Sequence, residues 1–362
     1  MNAVMTVDLS ELDAWAAQVQ RASDDLSGIA RNGGHGLVQT DFGPILETMM
    51  GAYHSLLPTV HQSLEDNGTG LRDHAEALRA TARDFTLTED GIVRRHQATG
   101  VDARDGSTGF WDVADTTIRR ATPTETNLPQ VSLGFPYDTV CDLVRMLTGF
   151  DIRAELAERI GGDVVTASTQ GSCFGALGTS MKGVAANLQG GSQTITRTWQ
   201  GSTADAAIGQ IGTWVGSLDR QAGQLVQMGR NIVQICRDAW QTALSVVQCV
   251  KAAVQTVSAA LATMSIPGVG WARVVQAVYQ AFQAVMKAYK ALMKLIDILQ
   301  QVRSFIETVK NFFDGDKPPV STPTAPVSTG TPSSVTRDPS TITSPTVGQR
   351  PAPVAPVAPS PA

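Results

Sequence analysis

The sequence predicts an all-α protein, built as a helical hairpin, a helical bundle with long C-terminal helices and a disordered Pro-rich tail. Apolar residues recur at spacings of three and four over several long stretches, the pattern of helices that bury one face. That periodicity lapses between about 97 and 135, and 12 of the 18 prolines fall in the final 46 of 362 residues. These breaks divide the chain into a hairpin at 1–96, a linker at 97–135 and a bundle at 136–264. A basic amphipathic helix follows at 265–316, packed on the bundle or on a membrane, and then the tail at 317–362. Strands are not expected.

The first helix is carried by Leu12, Trp15, Val19, Ala22, Leu26 and Ile29, and Asn32, Gly33 and Gly34 are expected to end it. The return helix is marked by Tyr53, Leu57, Val60, Leu64, Leu71, Ala75, Leu78, Ala82 and Phe85, a heptad-like seam interrupted near Asn67-Gly68. Two such seams must bury against each other or against a partner. After the Gly-, Thr-, Asp- and Pro-rich linker, short amphipathic helices are expected at 138–147 and 152–160. A small-residue helix to about Leu188 comes next, then the Gly190-Gly191 region. The most regular repeat is Ile208, Ile211, Val215, Leu218, Ala222, Leu225, Gly229, Ile232, Ile235 and Ala239. It predicts a long bundle helix reaching about Met264, where Ser265-Ile266-Pro267-Gly268 turns the chain into a last helix from Trp271 to Phe313. Beyond Lys317 the Pro, Ser, Thr, Val and Ala composition cannot bury enough surface to fold.

A net charge of −5 with a pI near 5.6 excludes a general nucleic-acid binder, which needs a basic footprint against phosphates. The charge is unevenly spread: residues 1–98 hold 14 acidic and 7 basic side chains, whereas 271–313 hold 2 acidic and 6 basic. Aromatic content of 6% favours binding surfaces over a pocket-rich enzyme core. Cys141, Cys173, Cys236 and Cys249 lack zinc-ligand spacing, and Cys236 and Cys249 stand about 20 Å apart on one helix, too far to bridge. Free thiols are favoured, with a Cys141–Cys173 disulfide left open.

His54, His61 and Glu65 share a helical face, but no short ligand pair accompanies them, so a solvated polar stripe is expected and no metal or other cofactor. No phosphate loop or paired carboxylates stand out, and no catalytic activity is expected. The N-terminus lacks the basic and apolar regions of a classical signal peptide. Residues 252–272 are uncharged for 21 positions, long enough to cross a bilayer, but Gln255, Ser258, Ser265 and Pro267-Gly268 weaken that reading. On the last helix Trp271, Tyr279, Phe282 and Tyr289 with Lys287, Lys290 and Lys294 form a face suited either to packing inside the bundle or to a lipid surface.

The segment Trp199-Gln200-Gly201, set between two amphipathic helices, carries the sharpest signal. A large ring can insert between helix ends there, Gly201 permits a tight turn, and Ser202 or Thr203 can cap the next helix. Over roughly 160–250 the sequence resembles the Trp-X-Gly (WXG) early-secreted-antigen-like proteins, type VII (ESX) secretion substrates of actinobacteria that form helical hairpins and pair into four-helix bundles. Residues 5–95, including DFGPILETMMGAYHSLLPTV and LRATARDFTLTED, resemble EspC-like secreted proteins. In those proteins a Tyr-x-x-x-Asp/Glu export signal follows the second helix, and the matching positions here are Phe85 and Glu89, with Phe in place of Tyr.

The resemblance implies an exported protein acting through helix–helix contacts. Its partners would be the type VII secretion machinery and either a small hairpin protein or a second copy. A composite signal would draw on Trp199 and Gly201 with Phe85 and Glu89. Two other readings stand beside it: a membrane-associated protein held through 252–313, and the delivery portion of a toxin-like effector without its catalytic domain.

Overall fold

Asp8 opens the first helix by accepting the backbone N–H groups of Ser10 and Glu11, which satisfies two donors that no helical carbonyl can reach. The computed structural model describes residues 8–88, 109–119, 137–152, 162–263 and 270–316. Its elements are α1 (Leu9–Gly36), a short 3-10 turn (Pro44–Leu46), α2 (Glu47–Thr88), α3 (Tyr137–Thr148), α4 (Val164–Ile195), α5 (Ser202–Ala262) and α6 (Gly270–Gly315). Among the described residues no strand forms, and the protein is all-α. The expected helix at 152–160, the turn at 265–268, Glu89 and the tail at 317–362 lie outside the described residues, apart from Ile152.

Helix α1 runs past Asn32-Gly33-Gly34 to Gly36, and the Leu37 N–H closes it on the Gly33 carbonyl at 2.7 Å. Gly33 serves close packing rather than termination: a Cβ there would lie 3.1 Å from the Leu177 side chain on α4. Helix α4 likewise continues through Gly190-Gly191 to Ile195, because Gly191 lets Gln18 and Trp15 of α1 approach its backbone. Helix α2 is unbroken at Asn67-Gly68. Those polar residues mark two contacts: Gly68 abuts Ser27, and its carbonyl accepts from Ser23 Oγ at 2.7 Å. Buried Asn67 donates to Gln221 Oε1 on α5 at 2.6 Å.

The seams of α1 and α2 bury against each other and against the second module, so all the long helices share one core. Helices α4 and α5 are antiparallel and pack backbone to backbone. Gly171 faces Gly229 and Ile232, and Gly178 faces Ala222 and Val226. Helix α6 returns along α5, and Asp316 at its end accepts from Ser217 Oγ (3.2 Å) and Arg220 (3.1 Å), while the Asp316 carbonyl accepts from Gln221 Nε2 at 3.1 Å. Asn67, Gln221 and Asp316 thus tie α2, α5 and the end of α6 into one register.

Residues 109–119, inside the stretch read as a linker, form a packed strap without regular structure. Phe110 is buried and its carbonyl accepts from Arg21, whose guanidinium also pairs with Asp112. Asn187 of α4 makes both backbone bonds to Ala114, and Ser180 Oγ donates to the Thr117 carbonyl at 3.0 Å. The strap therefore crosses α1 and α4 and secures one to the other.

His74 of α2 is buried, neither ring nitrogen has a hydrogen-bond partner among the described residues, and desolvation pushes its pKa down to about 4. The folded state therefore holds His74 neutral where the unfolded chain, titrating near 6.5, binds a proton. Stability is expected to be unaffected by this group above about pH 6.5 and to fall as the pH drops from there toward 4, by up to about 3 kcal/mol. Urea unfolding across that window should show the slope in the native chain and a flatter one in His74→Leu. Equal slopes would remove His74 as the cause.

Candidate functional site

The turn that follows α4 carries the aromatic element of the Trp-Gln-Gly segment. The Thr198 and Trp199 N–H groups both bond the Ile195 carbonyl, at 3.1 and 2.9 Å, so the helix tightens as it ends. Across the turn, α1 holds it from outside. The Asp8 N–H donates to the Thr198 carbonyl at 3.2 Å, and Thr198 Oγ1 donates to Glu11 Oε2 at 2.6 Å. The chain then passes through Gly201 at φ 118° and ψ 175°, a conformation that side-chain-bearing residues avoid. Gly201 is itself the N-cap of α5, without a side-chain cap, and Ser202 is already helical. Neither Ser202 nor Thr203 is the cap that their composition suggests. Asp205 in the first turn supplies the negative charge that the helix N-terminus favours.

This turn delivers Trp199 into a buried aromatic cluster. Its ring meets Trp15 of α1 edge-on at 6.1 Å and Phe85 of α2 edge-on at 6.4 Å. Trp199 and Trp15 are fully buried, whereas Phe85 is half-exposed and opens the cluster toward the end of α2. Neither indole N–H reaches a protein acceptor among the described residues. An unpaired buried donor costs about 1–3 kcal/mol, so apolar contact alone holds the two rings. Three of the four residues singled out for recognition, Phe85, Trp199 and Gly201, therefore meet at one end of the bundle, and the fourth, Glu89, lies just beyond the described part of α2.

No family profile, curated protein or solved structure matches this chain.

The second group of predicted site residues divides. Phe282 and Tyr289 are half-buried and flank Phe150, at 6.2 and 5.4 Å, in a packing contact beneath α3. Trp271 and Tyr279 are exposed near the start of α6, and Lys287, Lys290 and Lys294 are exposed further along it. One helical face thus serves packing over part of its length and faces solvent over the rest.

None of the four cysteines is in a disulfide, so none joins Cys141 to Cys173; three are buried and Cys249 is half-buried. His54 bonds the Thr40 carbonyl at 3.0 Å, and His61 lies 3.7 Å from Glu65 on the surface. The sequence did not reveal the strap residue Phe110, nor Gln18, whose Nε2 donates to Asp112 Oδ1 and the Asn187 carbonyl at 3.1 Å each, nor Asn187 itself, nor the ring of Phe150. A polar residue inside an apolar seam was the legible signal at Asn67. The strap carries no periodicity that could have revealed it.

Proposed function

We propose that the chain is a type VII (ESX) secretion-associated protein, an exported substrate whose recognition element is the junction of the Trp199-Gly201 turn with the end of α2. The observation that carries this reading is the contact of Phe85 with Trp199, 6.4 Å between ring centres. Two sequence segments that separately resemble parts of an export signal come together through folding, and the half-exposed ring is the one four residues before Glu89 in the chain. The hairpin α1–α2 packed on the hairpin α4–α5 gives a four-helix arrangement within one polypeptide, the kind of bundle that the resemblance associates with a pair of chains. A composite signal of this kind needs both hairpins folded together, so it would be read only on the assembled bundle.

The test is the distribution of the protein between culture filtrate and cells in its native host, with the type VII ATPase present and absent. Export should require the ATPase, fall at least tenfold in Glu89→Ala, and persist in Phe85→Tyr, which restores the tyrosine of the resembling motif. Retention in the membrane fraction with and without the ATPase would overturn the substrate reading. Full export of Glu89→Ala would overturn the composite signal.

A further inference from the structure

The end of the molecule opposite the aromatic turn has a different character. Gly171 near the start of α4 lies opposite Gly229 and Ile232 of α5, so α4 begins near residue 239 of α5. From there α5 continues to Ala262, about 35 Å at 1.5 Å per residue, paired with the first half of α6 and flanked by α3. Between Ala239 and Ile296 the sequence holds five basic residues, Lys251, Arg273, Lys287, Lys290 and Lys294, and no Asp or Glu. Five positive charges in a chain of net −5 leave −10 on the remainder. None of the five makes an ion pair among the described residues. The flanking α3 holds Asp138, Asp142 and Arg145, one net negative charge, and Arg145 pairs at 3.3 Å with Asp151 just beyond its end, so the cationic stretch is confined to α5 and α6.

On this cationic arm the apolar face of α6 is uncovered where it begins. Trp271, Val275 and Tyr279, each one turn from the next, are 64%, 52% and 61% exposed. The same stripe continues through Phe282 and Tyr289, where Phe150 covers it. At 3.6 residues per turn the stripe lies between the buried seam of Val274, Val278, Ala281 and Val285 and the flank that carries Lys290 and Lys294. Seam, aromatic stripe and lysine flank follow one another around the helix.

We propose that this distal arm docks on an anionic lipid surface, with Trp271, Val275 and Tyr279 entering the boundary between headgroups and acyl chains and Lys287, Lys290 and Lys294 facing lipid phosphates. Trp and Tyr favour that boundary because they present an apolar body with a polar tip, and basic side chains beside them add electrostatic attraction. A second copy of the chain would bring the same five positive charges to the contact. Three side chains also expose too little area for a stable protein interface, which needs roughly 800 Å² per partner. Helix α5 is long and apolar enough to cross a bilayer by length and composition, with a mean hydropathy of 1.4 in its most apolar window. Its pairing with α6, where Arg273 lies within one turn of the start, favours lying on the surface over spanning it. The inference does not rest on the export reading.

The test is flotation of the full-length protein with phosphatidylcholine vesicles, with and without phosphatidylglycerol, at low and high salt. Binding is expected to the anionic vesicles and to weaken with salt. It should fall about tenfold or more in the double variant Trp271→Ser, Tyr279→Ser. Each Lys→Gln change at 287, 290 or 294 should weaken it about fivefold. These positions are exposed, so helical content by circular dichroism should stay unchanged. Absence of binding to anionic vesicles at low salt would overturn the proposal, as would binding that the double variant leaves unaltered. Self-association that the double variant abolishes, without vesicle binding, would assign the stripe to a second copy and equally overturn it.

Discussion

Trp199→Ala is expected to lower the stability of the protein by about 3–5 kcal/mol, the range for emptying a buried aromatic site, and to abolish the composite surface at the end of α2. The ring is fully buried and packs edge-on against both Trp15 and Phe85, so its loss leaves a void between α1 and α2. Collapse into that void is limited, because Thr198 is tied to Asp8 and Glu11 of α1. Chemical denaturation checks the magnitude, and a loss under about 1 kcal/mol would mean that the site relaxes. Trp199→Phe separates folding from recognition. It keeps an aromatic ring and removes an indole N–H that has no acceptor, so it should cost less than half as much stability. Export lost in that variant while its fold persists would locate recognition in the indole itself. Export retained there and lost only in Trp199→Ala would make the tryptophan a packing residue that supports Phe85.

Gly229→Leu should disrupt the bundle by about 3 kcal/mol or more, although Gly229 sits in the middle of a helix where glycine is otherwise unfavourable. A Cβ on Gly229 would lie 2.5 Å from the Gly171 carbonyl oxygen and 2.6 Å from the Gly175 nitrogen, both backbone atoms of α4 that no rotamer change can move. The helices would have to separate along their whole contact. Gly223→Ala on the same helix is the matched control, because a Cβ there meets nothing within 4 Å. It should be neutral or stabilise by up to about 1 kcal/mol. Thermal unfolding of the pair reads the contrast directly, with a loss of roughly 6–12 °C expected for Gly229→Leu. Equal midpoints for the two variants would mean that the close approach of α4 and α5 is not maintained.

Much of this architecture was legible because helices announce themselves by spacing. The seam from Leu12 to Ile29 and the repeat from Ile208 to Ala239 each specify a helix with one apolar face, and both faces are buried except at Ile208 and Val215, which are half-buried. Helix ends were less legible. The sequence places one helix end at Asn32-Gly33-Gly34, since glycine commonly ends helices, and another at about Leu188 ahead of Gly190-Gly191, yet Gly33 and Gly191 lie within continuing helices and admit a neighbouring side chain. Whether a glycine ends a helix or opens its surface depends on what stands opposite, and that lies far away in the chain.

The candidate site shows the same division. Trp199 and Gly201 were conspicuous as a large ring beside a flexible backbone, and the positive φ of Gly201 agrees with that reading. Residues 109–119 had no periodicity to betray them, because an extended strap gains its order from Arg21, Asn187 and Ser180 rather than from its own spacing.

By itself the sequence determined that the chain is helical, where its apolar faces lie and how its charges are spread, because these depend on residue type and on a period of 3.6. The tertiary structure alone decided which seams meet and that Phe85 reaches Trp199. It also decided that Phe150 covers one part of the α6 stripe and leaves Trp271 and Tyr279 bare. Periodicity states that a face must be covered, whereas the identity of the cover follows from close packing between segments distant in the chain.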